Sequence, residues 1–198
     1  MIRTSTLLKT GLISTALWLS ACTIFPEATP QTRYNLPAAA LPPIATTQNS
    51  TLYVALPQAN RLINSNYILV QPNGTEMQSY KGAQWADTAP VLLRERFVQA
   101  FTDAALFQAV TGDAALNTPL ALEGYLANFE VQYQDGQPVI RIQYEGKVVD
   151  RQSSSIMRSQ RFVISQPAAA TDIDAVVTAF GLAADELSLQ VLAWLQQQ

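Results

Sequence analysis

Residues 137–149 read Gln-Pro-Val-Ile-Arg-Ile-Gln-Tyr-Glu-Gly-Lys-Val-Val. Within them Ile140, Ile142, Tyr144 and Val148 alternate with Arg141, Gln143, Glu145 and Lys147. A period of two sends the first set to one face of a strand and the second set to the other. One face is therefore buried and the other wet, which an antiparallel sheet permits. Just upstream, Asp135-Gly136 is a two-residue hairpin signal. Before it, Leu120, Leu122 and Leu126 share one parity, while Phe129, Val131 and Tyr133 take the other. One extra residue near Asn128, a bulge, brings both sets to the same face. Downstream, Ser153-Ser154-Ser155 turns the chain, and Ile156 to Ser165 supplies a third strand with Phe162 and Ile164 inward. Leu120 to Ser165 thus reads as a three-stranded antiparallel meander.

Two amphipathic helices flank the meander. Asp87-Thr88-Ala89-Pro90 announces the first, because Asp or Thr caps free N–H groups and proline is tolerated in a first turn. Leu93, Phe97, Phe101 and Ala104 or Ala105 line one face of it, and Phe107 to Val110 begins another strand. In the second, Thr171-Asp172-Ile173-Asp174 resembles a capping box with Asp in place of Glu. Ile173, Val177, Phe180, Ala184, Leu187, Val191 and Trp194 follow at alternating steps of four and three. That stripe fits a helix lying across a sheet or a coiled-coil seam, and packing on the chain's own sheet is the ordinary outcome. Gly181 and Ala184 leave a thin place where another backbone can approach.

Before these elements, Thr51 to Leu56 has the β-branched, apolar character of a buried strand ended by Pro57. Leu62-Ile63 and Tyr67 to Val70 form a second extended piece. Pro72-Asn73-Gly74 is a turn, and Thr75 to Tyr80 returns as a paired strand. Residues 22–50 hold Pro26, Pro30, Pro37, Pro42 and Pro43 among Ala, Thr and Gln, a composition that favours extended chain. This region reads as a tether, with a short first strand at Arg33 to Pro37.

The start of the chain is a targeting signal. Arg3 and Lys9 precede a short apolar run, Gly11 to Leu19, and Leu19-Ser20-Ala21-Cys22 closes it. A positive end, an apolar centre of about 7–15 residues and small residues at the cut are the layout of a secretory signal. A spanning helix needs about 20 apolar residues. A cysteine placed directly after the small residues resembles a bacterial lipobox, and Cys22 is the only cysteine in the chain. The resemblance implies residues 1–21 as a lipoprotein signal peptide and an N-acyl diacylglycerol on Cys22, the one covalent group expected; acyl chains in pairs anchor stably. Thr23, not Asp, follows Cys22. By resemblance to the bacterial sorting rule, that implies the periplasmic face of the outer membrane.

Composition excludes several chemistries. The chain has no histidine, so a Ser-His-Asp or Cys-His triad and His-ligated zinc are out of reach. Its eight glycines are dispersed, with no GxxxxGK[ST] and no GxGxxG. A formal net charge of −3 with scattered charges gives no footprint for nucleic acid. A carboxylate pair remains chemically able to do acid–base work, but fifteen acids always offer pairs. The chain is read as a non-enzyme without metal or cofactor.

The order of parts from residue 33 to 196 resembles the ABC-type transport auxiliary lipoproteins, the group that includes the paraquat-inducible protein C kind. The residues that carry the resemblance begin with the lipobox, Tyr34-x-Leu36, and Leu52-Tyr53-Val54-Ala55-Leu56-Pro57 with Arg61-Leu62. The most specific segment is Tyr80-x-x-Ala83-x-Trp85-Ala86-Asp87-x-x-Pro90-x-Leu92-Leu93, and Ala193-Trp194-Leu195 closes the last helix. The resemblance implies an α+β fold: a mixed β-sheet with the antiparallel meander, packed by two main amphipathic helices, somewhat like the N-terminal domain of TolB. The body would span residues 51–198. It also implies partners, an MCE-domain substrate-binding protein with its ABC permease and ATPase, in systems that move phospholipids or other hydrophobic molecules across the envelope.

On this reading the protein is a docking component, binding the MCE-type protein directly or as a ring of copies that continues a channel. The alternative is a periplasmic lipid carrier that holds an acyl chain in its own cavity. Trp85 and Asp87 are the candidate partner contacts, Trp85 as a partner-facing aromatic anchor. Their packing alternative is a core plug and a helix cap.

Overall fold

The computed structural model describes residues 30–44 and 47–197, so the signal at residues 1–21 and Cys22 lie outside the described residues. The strands are β1 (Thr32–Tyr34), β2 (Gln48–Val54), β3 (Gln58–Ala59), β4 (Tyr67–Gln71), β5 (Gln78–Trp85), β6 (Phe107–Thr111), β7 (Leu120–Gln134), β8 (Gln137–Asp150) and β9 (Ser155–Pro167). The helices are α1 (Ala89–Asp103) and α2 (Ile173–Gln196).

β7 is the spine of one mixed, nine-stranded sheet. Along one edge it pairs antiparallel with β8 over its full length, and β8 pairs antiparallel with β9. Along the other edge three short strands follow one another, all parallel to it: β2 at Leu120–Leu122, β3 at Tyr125–Leu126 and β4 at Glu130–Gln132. β5 pairs antiparallel with β4, β1 parallel with β5, and β6 parallel with β2. The meander is as the alternation predicts. The register of β7 on β8 jumps between Leu126 and Asn128, which turns Leu122, Leu126, Phe129 and Val131 to the same buried face. Asp135 and Gly136 both have positive φ, +50° and +78°, as the tight hairpin turn demands.

Both helices lie on that face. Phe97 of α1 meets Tyr144 of β8 at 5.3 Å between ring centroids. Phe180 and Trp194 of α2 meet Phe129 at 4.9 Å and Phe162 at 5.6 Å. Each such ring contributes about 1.5–3 kcal/mol by leaving water. Gly124 is fixed by close approach: a Cβ there would stand 2.4 Å from the Tyr144 ring. The far face of the β8–β9 half carries exposed Val163 and the Arg161–Glu145 ion pair, 3.0 Å long.

Four boundaries differ from the sequence reading. Leu62-Ile63 is a turn, not a strand; Asn60 Oδ1 accepts from both backbone N–H groups, and an Asx turn of this kind competes with pairing. The strand expected at Thr75–Tyr80 starts three residues later and runs to Trp85. The cap of α2 is Asp172, whose side chain accepts from Ala175 N–H, so the expected Thr171 box is displaced by one residue.

The fourth difference is the largest. The Pro-rich region taken as tether up to residue 50 is, from residue 31 onward, part of the compact unit that spans residues 31–198. β1 begins it, and the chain then runs along α2 as a strap. Tyr34 donates from its hydroxyl to Asp174 at 3.0 Å. Pro37 sits on Gly181, Ala39 N–H donates to Asp185 at 3.1 Å, and Gln48 donates to the Leu195 carbonyl at 3.3 Å. Proline makes such a segment extended, and extended chain can be laid down on a helix as well as left in water.

Candidate functional site

Trp85, expected as a candidate anchor, is fully buried. Its ring packs edge-on against Phe180 at 5.1 Å and against Phe129 at 5.9 Å. Its backbone N–H donates to Asn66, while Ala86 N–H donates to Tyr34. The ring therefore plugs the corner where β5 hands over to α1, and its burial withholds it from a partner. Ala83, Ala89, Leu92 and Leu93 of the same segment are buried too. Asp87 is exposed, and its carboxylate accepts from Thr88 N–H at 2.6 Å; Thr88, at the N-cap position, makes no side-chain cap bond.

The strap is held by a charged clamp that composition did not signal. Arg96 of α1 is buried, and its Nε donates to Asp185 of α2 at 2.5 Å. Its Nη2 donates to the Ala39 carbonyl at 2.8 Å, and Ala39 N–H returns to the other oxygen of Asp185. One carboxylate and one guanidinium thus tie α1, α2 and the strap together. Pro37's seat on Gly181 would be crowded by any side chain there: a Cβ on Gly181 would lie 2.8 Å from Pro37 O and Cβ. Burial raises the pKa of Glu130 on β7, against hydrogen bonds from Asn128, Phe129 N–H and Gln132 and the charge of Arg141.

A cleft of about 610 Å3 opens at the other end of α2. Leu52, Phe107, Leu120, Val148, Met157 and Leu195 line it. Two irregularities border it. The β2–β6 register shifts between Gln48 and Thr51, and the β8–β9 register shifts between Val148 and Val149, leaving Met157 as an extra, exposed residue at the mouth. Two polar side chains share the lining, Gln48 and Arg158. Arg158 donates to the carbonyls of Leu195 and Gln197 and lies 5.0 Å from the centre of the Trp194 ring. Its pKa is lowered by burial. Among the described residues the ion pairs are Arg96–Asp185 and Arg161–Glu145, so no described carboxylate neutralises Arg158. Gln48 Oε1 is shut from solvent and has no hydrogen-bond donor among the described residues. Trp85 Nε1, Arg96 Nη1 and Asp103 Oδ2 share that condition, but none of their residues lines the cleft. No group of three or more His, Cys, Asp or Glu side chains among the described residues is placed to hold a metal.

The profile of the ABC-type transport auxiliary lipoprotein component matches residues 34–192. The chain belongs to that family. The auxiliary lipoproteins are components of ABC-type transport and not an enzyme family, and membership associates this chain with a transporter at a bacterial envelope membrane. A crystal structure of protein XCC0632 from Xanthomonas campestris, assigned to the DUF330 family, is 30% identical with a TM-score of 0.77, over 82% of this chain and 93% of that one. An uncharacterised protein of known structure is 15% identical with a TM-score of 0.67, over 84% and 99% of the two chains. The hypothetical protein CT253 from Chlamydia trachomatis is 11% identical with a TM-score of 0.54, over 75% and 96%. These last two are likenesses of fold. Among curated proteins no sequence matches. The segment around Trp85, the most specific part of the family resemblance, is thus a packed corner of the auxiliary lipoprotein fold, and the Arg158 cleft is formed by residues no local motif connects.

Proposed function

We propose that this auxiliary lipoprotein is anchored through acylated Cys22 at the periplasmic face of the outer membrane. There it docks the substrate-binding end of an ABC transport system whose periplasmic component is an MCE-type protein, and which carries phospholipids or other hydrophobic molecules. The match of residues 34–192 to the transport-auxiliary family carries this reading. The lipobox at Leu19-Ser20-Ala21-Cys22 and Thr23 after it support the anchor and its membrane. Asp87, exposed beside exposed Ala86 where α1 begins, is a residue a partner can reach; Trp85 acts through packing.

The test is affinity purification of the full-length lipoprotein from membranes of its own bacterium, with proteins identified by mass spectrometry. The expected result is enrichment of an MCE-type protein and an ABC permease, in an outer-membrane fraction, reduced by Asp87→Lys. Cys22→Ala should move the protein out of the membrane fraction. Purification with neither transporter component would sink the docking role, and retention of Cys22→Ala in the membrane would sink the anchor.

A further inference from the structure

Residues 72–75, Pro-Asn-Gly-Thr, turn the chain between β4 and β5. The chain holds eight asparagines, and Asn73 is the one followed by glycine; Leu, Ser, Arg, Tyr, Thr or Phe follows the others. That neighbour decides the chemistry open to an asparagine. Its side-chain amide carbon lies within reach of the next residue's backbone nitrogen, and a side chain on that next residue hinders the ring they would form. Glycine has none, and its backbone reaches conformations closed to other residues.

The structure leaves this ring closure open at Asn73. Asn73 and Gly74 are both exposed and belong to no helix or strand. Gly74 has a φ of +32°, and a Cβ built on it would meet nothing within 4 Å. Gly74 N–H and the Asn73 side-chain amide have no hydrogen-bond partner among the described residues. What holds the turn lies beside them: Asn73 O accepts from Thr75 and Glu76 N–H, and Gly74 O accepts from Gln71 Nε2. Water can replace such bonds at an exposed turn, in a local opening far cheaper than unfolding. Other asparagine side chains are tied down. Asn60 Oδ1 accepts from two backbone N–H groups, Asn66 Nδ2 donates to Gln84, and Asn128 Nδ2 donates to Glu130.

We infer that Asn73 is a site of spontaneous deamidation in the folded protein, with water as the only co-reactant. Gly74 N gives up its proton to solvent hydroxide and attacks Asn73 Cγ. The N–Cγ bond forms, the Cγ–Nδ2 bond breaks, and ammonia leaves with a proton from water. Water then opens the succinimide at either carbonyl. Opening at Cγ restores the backbone and leaves an aspartate. Opening at the backbone carbonyl of residue 73 leaves an isoaspartate, whose main chain runs through the former side chain and is one methylene longer. Nothing is oxidised or reduced. Either product adds a carboxylate to the β4–β5 turn, and the isoaspartate also removes the carbonyl that accepts from Thr75 and Glu76. The inference stands apart from the docking role, because Asn73 and Asp87 lie beyond opposite ends of β5 and are read by separate measurements.

The experiment keeps the mature lipoprotein in detergent at neutral pH and growth temperature, beside a copy unfolded in guanidinium chloride. Trypsin releases residues 62–81 as one peptide carrying Asn64, Asn66 and Asn73. Electron-transfer mass spectrometry of that peptide places each conversion and separates aspartate from isoaspartate. Conversion is expected at Asn73, with both products, in the folded chain at a rate within about tenfold of the unfolded one. Gly74→Ala should slow it by at least about tenfold, and Asn73→Gln should abolish conversion in that peptide. Gly74→Ala sets a side chain at positive φ, so thermal unfolding checks it, and Asn73→Gln carries the comparison where it does not fold. A folded chain that reacts more than about tenfold slower than the unfolded one, or not at all, would overturn the inference. Conversion of Asn64 or Asn66 at the rate of Asn73 would overturn it too, as would persistence of conversion in Asn73→Gln. Aspartate without isoaspartate would overturn the cyclic route, and an unaltered rate in a folded Gly74→Ala would overturn the role of the glycine.

Discussion

In its first half α2 is met by other parts of the chain at short intervals: Tyr34 at Asp174, Trp85 at Phe180, Pro37 at Gly181, Arg96 and Ala39 at Asp185. In its last turns the same helix borders a cleft, with Arg158 laid over Trp194 and Gln48 on Leu195. Both halves are apolar toward the sheet, and both use a buried or half-buried arginine. The difference lies in what answers the arginine. Arg96 has a carboxylate and a backbone carbonyl supplied by the protein, so its site is closed and its energy goes into the fold. Arg158 has the carbonyls of Leu195 and Gln197 and the Trp194 ring, and no carboxylate among the described residues.

That contrast predicts a gradient of stability costs along the helix. Trp85→Ala should cost the most, about 3–5 kcal/mol, as truncation of a large core aromatic does, read as a shift of the urea midpoint. A stable Trp85→Ala that merely loses a partner would return the residue to an anchoring role. Next, Arg96→Met should cost about 3 kcal/mol, at the lower end of the range for breaking a buried pair, because Asp185 keeps some access to water. In limited proteolysis that variant should be cut first within residues 35–45; cleavage elsewhere at the parent rate would break the clamp assignment. Gly181→Val should cost about 1–3 kcal/mol by overpacking, and its effect should couple with that of Pro37→Gly in a double-mutant cycle. Strictly additive changes would mean that Pro37 is not the neighbour that matters. At the cleft end, Met157→Asp should change stability by no more than about 0.5 kcal/mol, as exposed sites do. A large loss there would show that the mouth is part of the core after all.

The elements whose signal is local were legible before the structure. The alternation from Ile140 to Val148, the Asp135-Gly136 turn, the facing change near Asn128 and the stripe from Ile173 to Trp194 each report on neighbours within a few residues. The strap was not legible, because prolines at 37, 42 and 43 say only that the chain is extended. What holds it down is Gly181 and Asp185, about 140 residues away in sequence. The parallel pairing of β2, β3 and β4 along one edge of β7 likewise leaves no local pattern. Of the site, Asp87 was found by its place before the helix and Trp85 by family resemblance, and burial selects the core plug over the anchor for Trp85. The cleft draws Gln48, Leu120 and Arg158 from separate strands, and no spacing connects them. The one available hint was Arg158 itself, a charge on the same face of its strand as buried Phe162 and Ile164, with Gln160 between them.

The strap has a geometric consequence. Because it runs along α2 in the direction of the helix, from Asp174 to Leu195, the chain joins the body at one pole and the cleft opens at the other. A helix of 24 residues makes those poles about 36 Å apart. Residue 31, where the compact unit begins, therefore lies about one helix length from the mouth of the cleft. α2 then acts as a fixed spacer between the start of the compact unit and the mouth of the cleft.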